Sequence, residues 1–112
     1  MNLKVEEKDG VKIITIPGEV LDASNVTEFK AAMKEHLTEK TNLLLDMSEQ
    51  QFIDSSGCGA LLSCLREITS GGGNLKLCGV QKSVRVIFEL VRMHRIIDIF
   101  NTCEEALESY KS

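Results

Sequence analysis

The stretch FIDSSGCGALLSCL, residues 52–65, is where the reading of this chain turns. An acid and two adjacent hydroxyls, Asp54, Ser55 and Ser56, stand directly before Gly57 and an apolar run. Leu61, Leu62, Leu65 and Ile68 fall at i, i+1, i+4 and i+7, one stripe of a helix that starts near Gly57. A hydroxyl at such a start accepts a hydrogen bond from an unpaired amide of the first turn, worth about 1 kcal/mol. Ser55 or Ser56 is therefore expected to cap the helix. One cap explains neither the pair of serines nor Gly57 and Gly59 just after it. Glycine costs about 1 kcal/mol inside a helix, but it lets another molecule come close to the backbone. A structural cap, a nucleophile, and a binding or modification site are three readings of the same residues.

Outward from this stretch the chain alternates strand and helix. LKVEEKDGVKIITIPG, residues 3–18, carries Asp9-Gly10 between two strand-like runs and reads as a hairpin. In residues 24–40, Val26, Phe29, Met33 and Leu37 recur at helical spacing, with Asn25 and Glu28 placed for a capping box. NLLLDM, residues 42–47, suits a strand buried on both faces. SGGG, residues 70–73, follows a helix and opens the strand NLKLCG; a phosphate loop has the reverse order, so the glycines read as a helix end and turn. A helix over residues 83–93 has Val84, Ile87, Phe88 and Val91 as its inner face, IIDIF is a last strand, and Thr102 and Glu105 have capping-box spacing at the start of a last helix. Single strands separated by crossover helices imply a largely parallel sheet with right-handed connections. The expected fold class is α/β: one domain over residues 1–112, with a mixed, mostly parallel sheet packed with about four α-helices.

Composition narrows the function. The chain has 112 residues, enough for one core without metal or disulfide help. With a net charge of −4, four Phe, one Tyr and no Trp, it is expected neither to attract a phosphate backbone nor to stack on bases, so no direct nucleic-acid partner is expected. No secretory leader and no apolar run of about 20 residues appears, which makes the cytoplasm the expected location and a membrane no expected partner. Cys58, Cys64, Cys78 and Cys103 form no Cys-x-x-Cys pair and read as reduced, mostly buried, unpaired thiols, with no metal and no cofactor expected. Arg85 and Arg92, seven apart, share a face of the residue 83–93 helix, close to Arg95. They read as a solvated face, or as part of a partner or anion surface. A hydrolase needs a base beside its serine. DSSGCG lacks the spacing of a Gly-x-Ser-x-Gly elbow, and no motif places His36 or His94, so no enzymatic activity is expected.

At this point FIDSSGCGALL resembles the DSSGLGxLL motif of STAS domains in their anti-sigma-factor antagonist branch. IPGEVLDASNVTEFKAAM is similar to that family's GxLDAxNxxEFK segment, and TNLLLDMSEQQFIDSSG to its strand leading into the motif. GGGNLKLCGVQKSVRVIFELVRMHRIIDIFNTCEEAL is similar to its tail, so the resemblance covers nearly the whole chain. Two departures stand out: the span from Gly18 to Phe29 is one residue longer than the common spacing, and Cys58 replaces the usual Leu.

The resemblance implies a partner-switching regulator. Such proteins, unphosphorylated, bind an anti-sigma factor that is also a serine kinase and so release a sigma factor; the kinase phosphorylates the hydroxyl residue after the motif's Asp, and a PP2C-type phosphatase resets it. Carried over, the phosphorylated residue is Ser55, with Ser56 as the alternative, and the partner-binding residues are Asp22, Asp54, Ser56, Gly57, Cys58 and Gly59. A STAS scaffold or ligand-sensing module in another signalling assembly is the alternative role.

Overall fold

The computed structural model describes residues 1–111. Strand β1 (Lys4–Lys8) and β2 (Val11–Thr15) form the expected antiparallel hairpin. Asp9 and Gly10 turn it with φ of 54° and 78°, the positive values that a two-residue I′ turn demands. Strand β3 (Val20–Leu21) precedes helix α1 (Val26–Met33) and a short 3₁₀ turn at Lys34–His36. Strands β4 (Asn42–Asp46) and β5 (Phe52–Ile53) lead into helix α2 (Ser55–Ser70). Strand β6 (Asn74–Cys78), helix α3 (Lys82–Leu90), strand β7 (Ile99–Phe100) and helix α4 (Cys103–Lys111) complete the chain. The main sheet runs β1-β2-β4-β6-β7, parallel except for β1. β3 and β5 pair parallel in a separate two-stranded sheet.

The apolar run of β4 is explained by burial on both faces. Leu43 and Leu45 face a core built with Phe29, Met33, Leu61, Ile68, Val84 and Phe88, the inner stripes of α1, α2 and α3. Leu44 faces the other way, with Ile13, Cys78, Ala106 and Leu107, beneath α4. Lys76, 8% exposed, lies under α4 as well, donating to Ser109 Oγ at 2.8 Å with its ammonium 4.2 Å from the Tyr110 ring centre. Tyr110 donates its hydroxyl hydrogen bond to the Leu43 carbonyl at 2.7 Å.

Burial, with the Asp98 carboxylate adding to it, pushes the Tyr110 phenol above its ordinary value of 10. As pH rises through 10 the unfolded chain releases its phenolic proton first. The unfolded state then binds fewer protons than the folded one, so stability falls with pH from there upward. Thermal melts at several pH values check this. The parent should lose Tm above pH 10 more steeply than Tyr110→Phe, which starts about 1 kcal/mol less stable for want of one hydrogen bond.

Several sequence expectations need correction. Asn25 stands at the N-cap of α1 without capping it: its amide nitrogen donates to the Val20 carbonyl at 2.8 Å and its Oδ1 accepts from the Asp22 amide at 3.0 Å. The residue 83–93 helix ends at Leu90, because Arg92 turns left-handed at φ 60°. Val91 is consequently 49% exposed instead of inside, and Arg92 leaves the helix that would have aligned it with Arg85, which donates instead to Asn101. Finally, Cys78 and Cys103 are paired as a disulfide, 25 residues apart in sequence with Cα atoms 5.2 Å apart, while Cys58 and Cys64 are free and buried as expected. The pairing arises because β6 ends under the first turn of α4, a proximity no sequence spacing announces. The capping box of α4 is present on its Thr102 side, whose Oγ1 accepts from the Glu105 amide at 3.1 Å.

Candidate functional site

The two serines sit where a small sheet meets a helix. β3 and β5 pair in the register Val20 with Phe52 and Leu21 with Ile53, and the Asp54 amide continues the ladder to the Leu21 carbonyl at 3.4 Å. Asp54 is then extended, with φ −110° and ψ −173°, and α2 begins at the next residue. Its Oδ1 accepts from the Gly57 amide at 2.9 Å, and its Oδ2 from the Ala23 amide at 3.2 Å. Asp54 is therefore the N-cap, which corrects the expectation that Ser55 or Ser56 fills that place. The physical reason is reach: a carboxylate one position earlier has two oxygens, enough to cap the helix and hold the residue 22–25 loop at once.

This leaves both serine hydroxyls without a hydrogen bond to any other described residue. Ser55 is exposed and Ser56 half-buried, at the first two positions of α2. Gly59, one turn on, is exposed, and a Cβ there would meet nothing within 4 Å. Gly57 and Cys58 behave differently. A Cβ on Gly57 would lie 2.5 Å from Ile53 Cγ1 and collide with the Leu21 carbonyl, so this glycine serves the packing of α2 on the small sheet. Cys58 is 5% exposed within the main core. Burial first, and the Asp54 carboxylate second, push its thiol upward, away from the reactive thiolate. As surface-contact candidates, Gly57 and Cys58 are therefore turned inward, while Asp22, Asp54, Ser56 and Gly59 reach solvent at least in part.

Asp22 belongs to the same place. Its Oδ1 accepts from the Ser24 amide at 2.9 Å and from the Ser24 hydroxyl, and its carbonyl accepts from Asn25 and Val26. This folds the residue 22–25 loop tightly beside Asp54. A third loop is tied in from below. Gln50, fully buried, donates from Nε2 to the Gly18 carbonyl at 2.8 Å, with the carbonyls of Ile16 and Pro17 each at 3.3 Å. Ser83, on the first turn of α3, donates to the Gln51 carbonyl at 2.7 Å. Sequence reasoning missed Gln50, Val20 and Phe52. The last two are paired across the small sheet, 38% and 47% exposed, and form an apolar patch on the strand pair that leads into α2. Val-Leu and Phe-Ile carry no polar alternation to say which residue faces water.

Neither histidine reaches the serines. His36 is half-buried with its Nδ1 3.4 Å from Lys12 Nζ, and His94 is exposed in the 3₁₀ turn Met93–Arg95. The site thus offers an exposed hydroxyl at a helix start, backed by a carboxylate and flanked by apolar surface, with no general base hydrogen-bonded to it among the described residues. Such a hydroxyl is suited to receive a group from an external catalyst. No helix among the described residues is long and apolar enough to cross a membrane.

Comparison with known proteins gives a consistent picture. The family model for the STAS domain matches residues 2–106. The anti-sigma F factor antagonist of Paenibacillus polymyxa is 29% identical over 111 residues, covering 96% of this chain and 94% of that protein. The anti-sigma-B factor antagonist of Listeria monocytogenes is 26% identical over 103 residues, 90% of each chain. The crystal structure of a Thermotoga maritima protein superposes with a TM-score of 0.85 at 26% identity, covering 98% of this chain and 95% of that one.

Proposed function

The chain belongs to the STAS domain family, and from that premise we propose that it is an anti-sigma factor antagonist switched by phosphorylation of Ser55. Unphosphorylated, it binds an anti-sigma factor that is a serine kinase and so frees a sigma factor. The kinase transfers the γ-phosphoryl of ATP to the Ser55 hydroxyl, and a PP2C-type phosphatase removes it. The protein is a binding partner rather than an enzyme, working in the cytoplasm. The observation that carries this reading is the exposed Ser55 hydroxyl, which bonds to no other described residue now that Asp54 takes the cap.

The chemistry of the switch follows from that placement. A phosphate adds a charge of about −1.5 to −2. At the first helical position it sits beside the helix N-terminus, which favours an anion by roughly 0.3–1 kcal/mol. The Asp54 carboxylate next to it opposes this, so the net effect on folding is small. On the partner side the same charge must be desolvated against a surface fitted to a neutral hydroxyl, beside Val20 and Phe52. Asp22, Asp54, Ser56 and Gly59 complete the contact.

Incubating the protein with ATP and candidate anti-sigma serine kinases, followed by phosphosite mapping by mass spectrometry, tests the reading. Phosphate on Ser55, abolished in Ser55→Ala, is the expected result. Phosphate on Ser56 instead would reassign the residue. Full incorporation into Ser55→Ala at the parent rate would sink the assignment, and a kinase panel that binds the chain but never modifies it would sink the switch. A separate check concerns the cap: Asp54→Ala should cost about 1–2 kcal/mol, read as a lower midpoint in urea, and should leave α2 formed.

A further inference from the structure

We propose that the reduced chain binds a divalent zinc-like cation through Cys78, Cys103 and Asp46, in a site that its own disulfide closes. Among the described residues these three form a cluster whose ligand atoms all lie within 4.8 Å of one another. They come from three different elements. Asp46 ends β4 and Cys78 ends β6, and the two are direct partners in the parallel register, so their side chains leave the sheet on the same side. Cys103 opens α4, which packs over that side.

The donor set fits the cation. Two thiolates and a carboxylate are a zinc set, with a water left to complete a tetrahedron. Asp46 is already oriented as a ligand, since its Oδ1 accepts from the Ser48 amide at 2.9 Å, which fixes the carboxylate and leaves Oδ2 to coordinate. Gly79, at φ 69°, lets the chain pass close by, since a Cβ there would lie 2.9 Å from Asp46 Oδ1. Leu107 and Phe100 lie alongside, and the partly exposed Asp46 and Cys103 leave the open side for that water. This departs from the sequence expectation of no metal, which rested on the absence of a Cys-x-x-Cys pair.

The two states exclude each other. A dithiol reductant gives two electrons and two protons to the Cys78–Cys103 disulfide, yielding two thiols and its own disulfide. The cation then displaces both thiol protons. In the oxidised protein both sulfurs are bonded to each other and the site has lost its soft ligands.

Cobalt(II) is the probe, because its thiolate charge-transfer and ligand-field bands report donor type and geometry. Phosphine-reduced 112-residue chain, kept anaerobic, should bind one equivalent with near-ultraviolet thiolate bands and four-coordinate visible bands, and zinc should bleach them. Cys103→Ser should lose about half the charge-transfer intensity and at least tenfold in affinity. Asp46→Asn should keep the charge-transfer bands while binding roughly tenfold more weakly. Oxidation by an azodicarboxamide, which takes up two electrons and two protons as it becomes a hydrazine, should abolish the one-equivalent site. Six-coordinate cobalt spectra, unaltered binding by Cys103→Ser, or a site that survives oxidation would each overturn the proposal. Circular dichroism of both variants confirms that they are folded.

Discussion

Ser55→Asp is expected to weaken binding to the proposed kinase partner by roughly 30- to 3,000-fold, while the domain stays folded. The range follows from a cost of about 2–5 kcal/mol for spoiling a desolvated polar contact, at about 1.4 kcal/mol per tenfold in affinity. Titration calorimetry against the partner, with ATP absent, reads it directly. The effect should fall on dissociation more than on association, since surface charge remains available to encounter the partner. A carboxylate carries less charge than a phosphate, so the phosphorylated protein should be the weaker binder of the two. Parent-like affinity for Ser55→Asp and for the phosphorylated chain alike would remove the switch from the account.

Gly57→Val is expected to produce the largest loss of stability near the site. A Cβ at this position collides with the Leu21 carbonyl and with Ile53, and the colliding atoms belong to the β3–β5 ladder, which cannot shift without losing its pairing. Overpacking of this kind costs typically 1–3 kcal/mol, and the added methyls put this case near 3. In a domain of this size that lowers Tm by roughly 10–20 °C. Gly59→Ala is the control, because open space surrounds it. It should hold or raise stability by up to about 1 kcal/mol, and any loss of partner affinity it causes then reports contact rather than unfolding. Equal destabilisation by both variants would contradict the packing argument.

Much of this architecture could be read from local signals. Asp9-Gly10 marks its turn by chemistry, and the triple leucine of β4 marks burial on both faces. Other features depend on partners far away in the chain. β3 and β5 are two residues each and exist only because they pair across about 30 residues of sequence, which no periodicity can reveal. Asn25 has the residue type and spacing of a cap, yet the β3 turn claims its side chain first. The serines likewise have the right type, but Asp54 stands one residue earlier and bonds to two loops. The motif draws attention to this stretch, and tertiary contacts decide which of its residues caps the helix. The Cys78–Cys103 pair belongs to the same class of surprise: both ends are legible as a strand end and a helix start, and only the sheet order brings them together.

Gln50 has a bearing on timing. By holding the carbonyls of residues 16–18 from inside, it ties the loop before β3 to the loop before β5, so the surface around Ser55 is already in place in the free protein. Little conformational freedom is left to lose on docking, which removes one of the main entropic costs of association. A competing partner then has no slow ordering step to await. Under the proposed switch, the pace at which one partner replaces another would be governed by how quickly the previous occupant leaves.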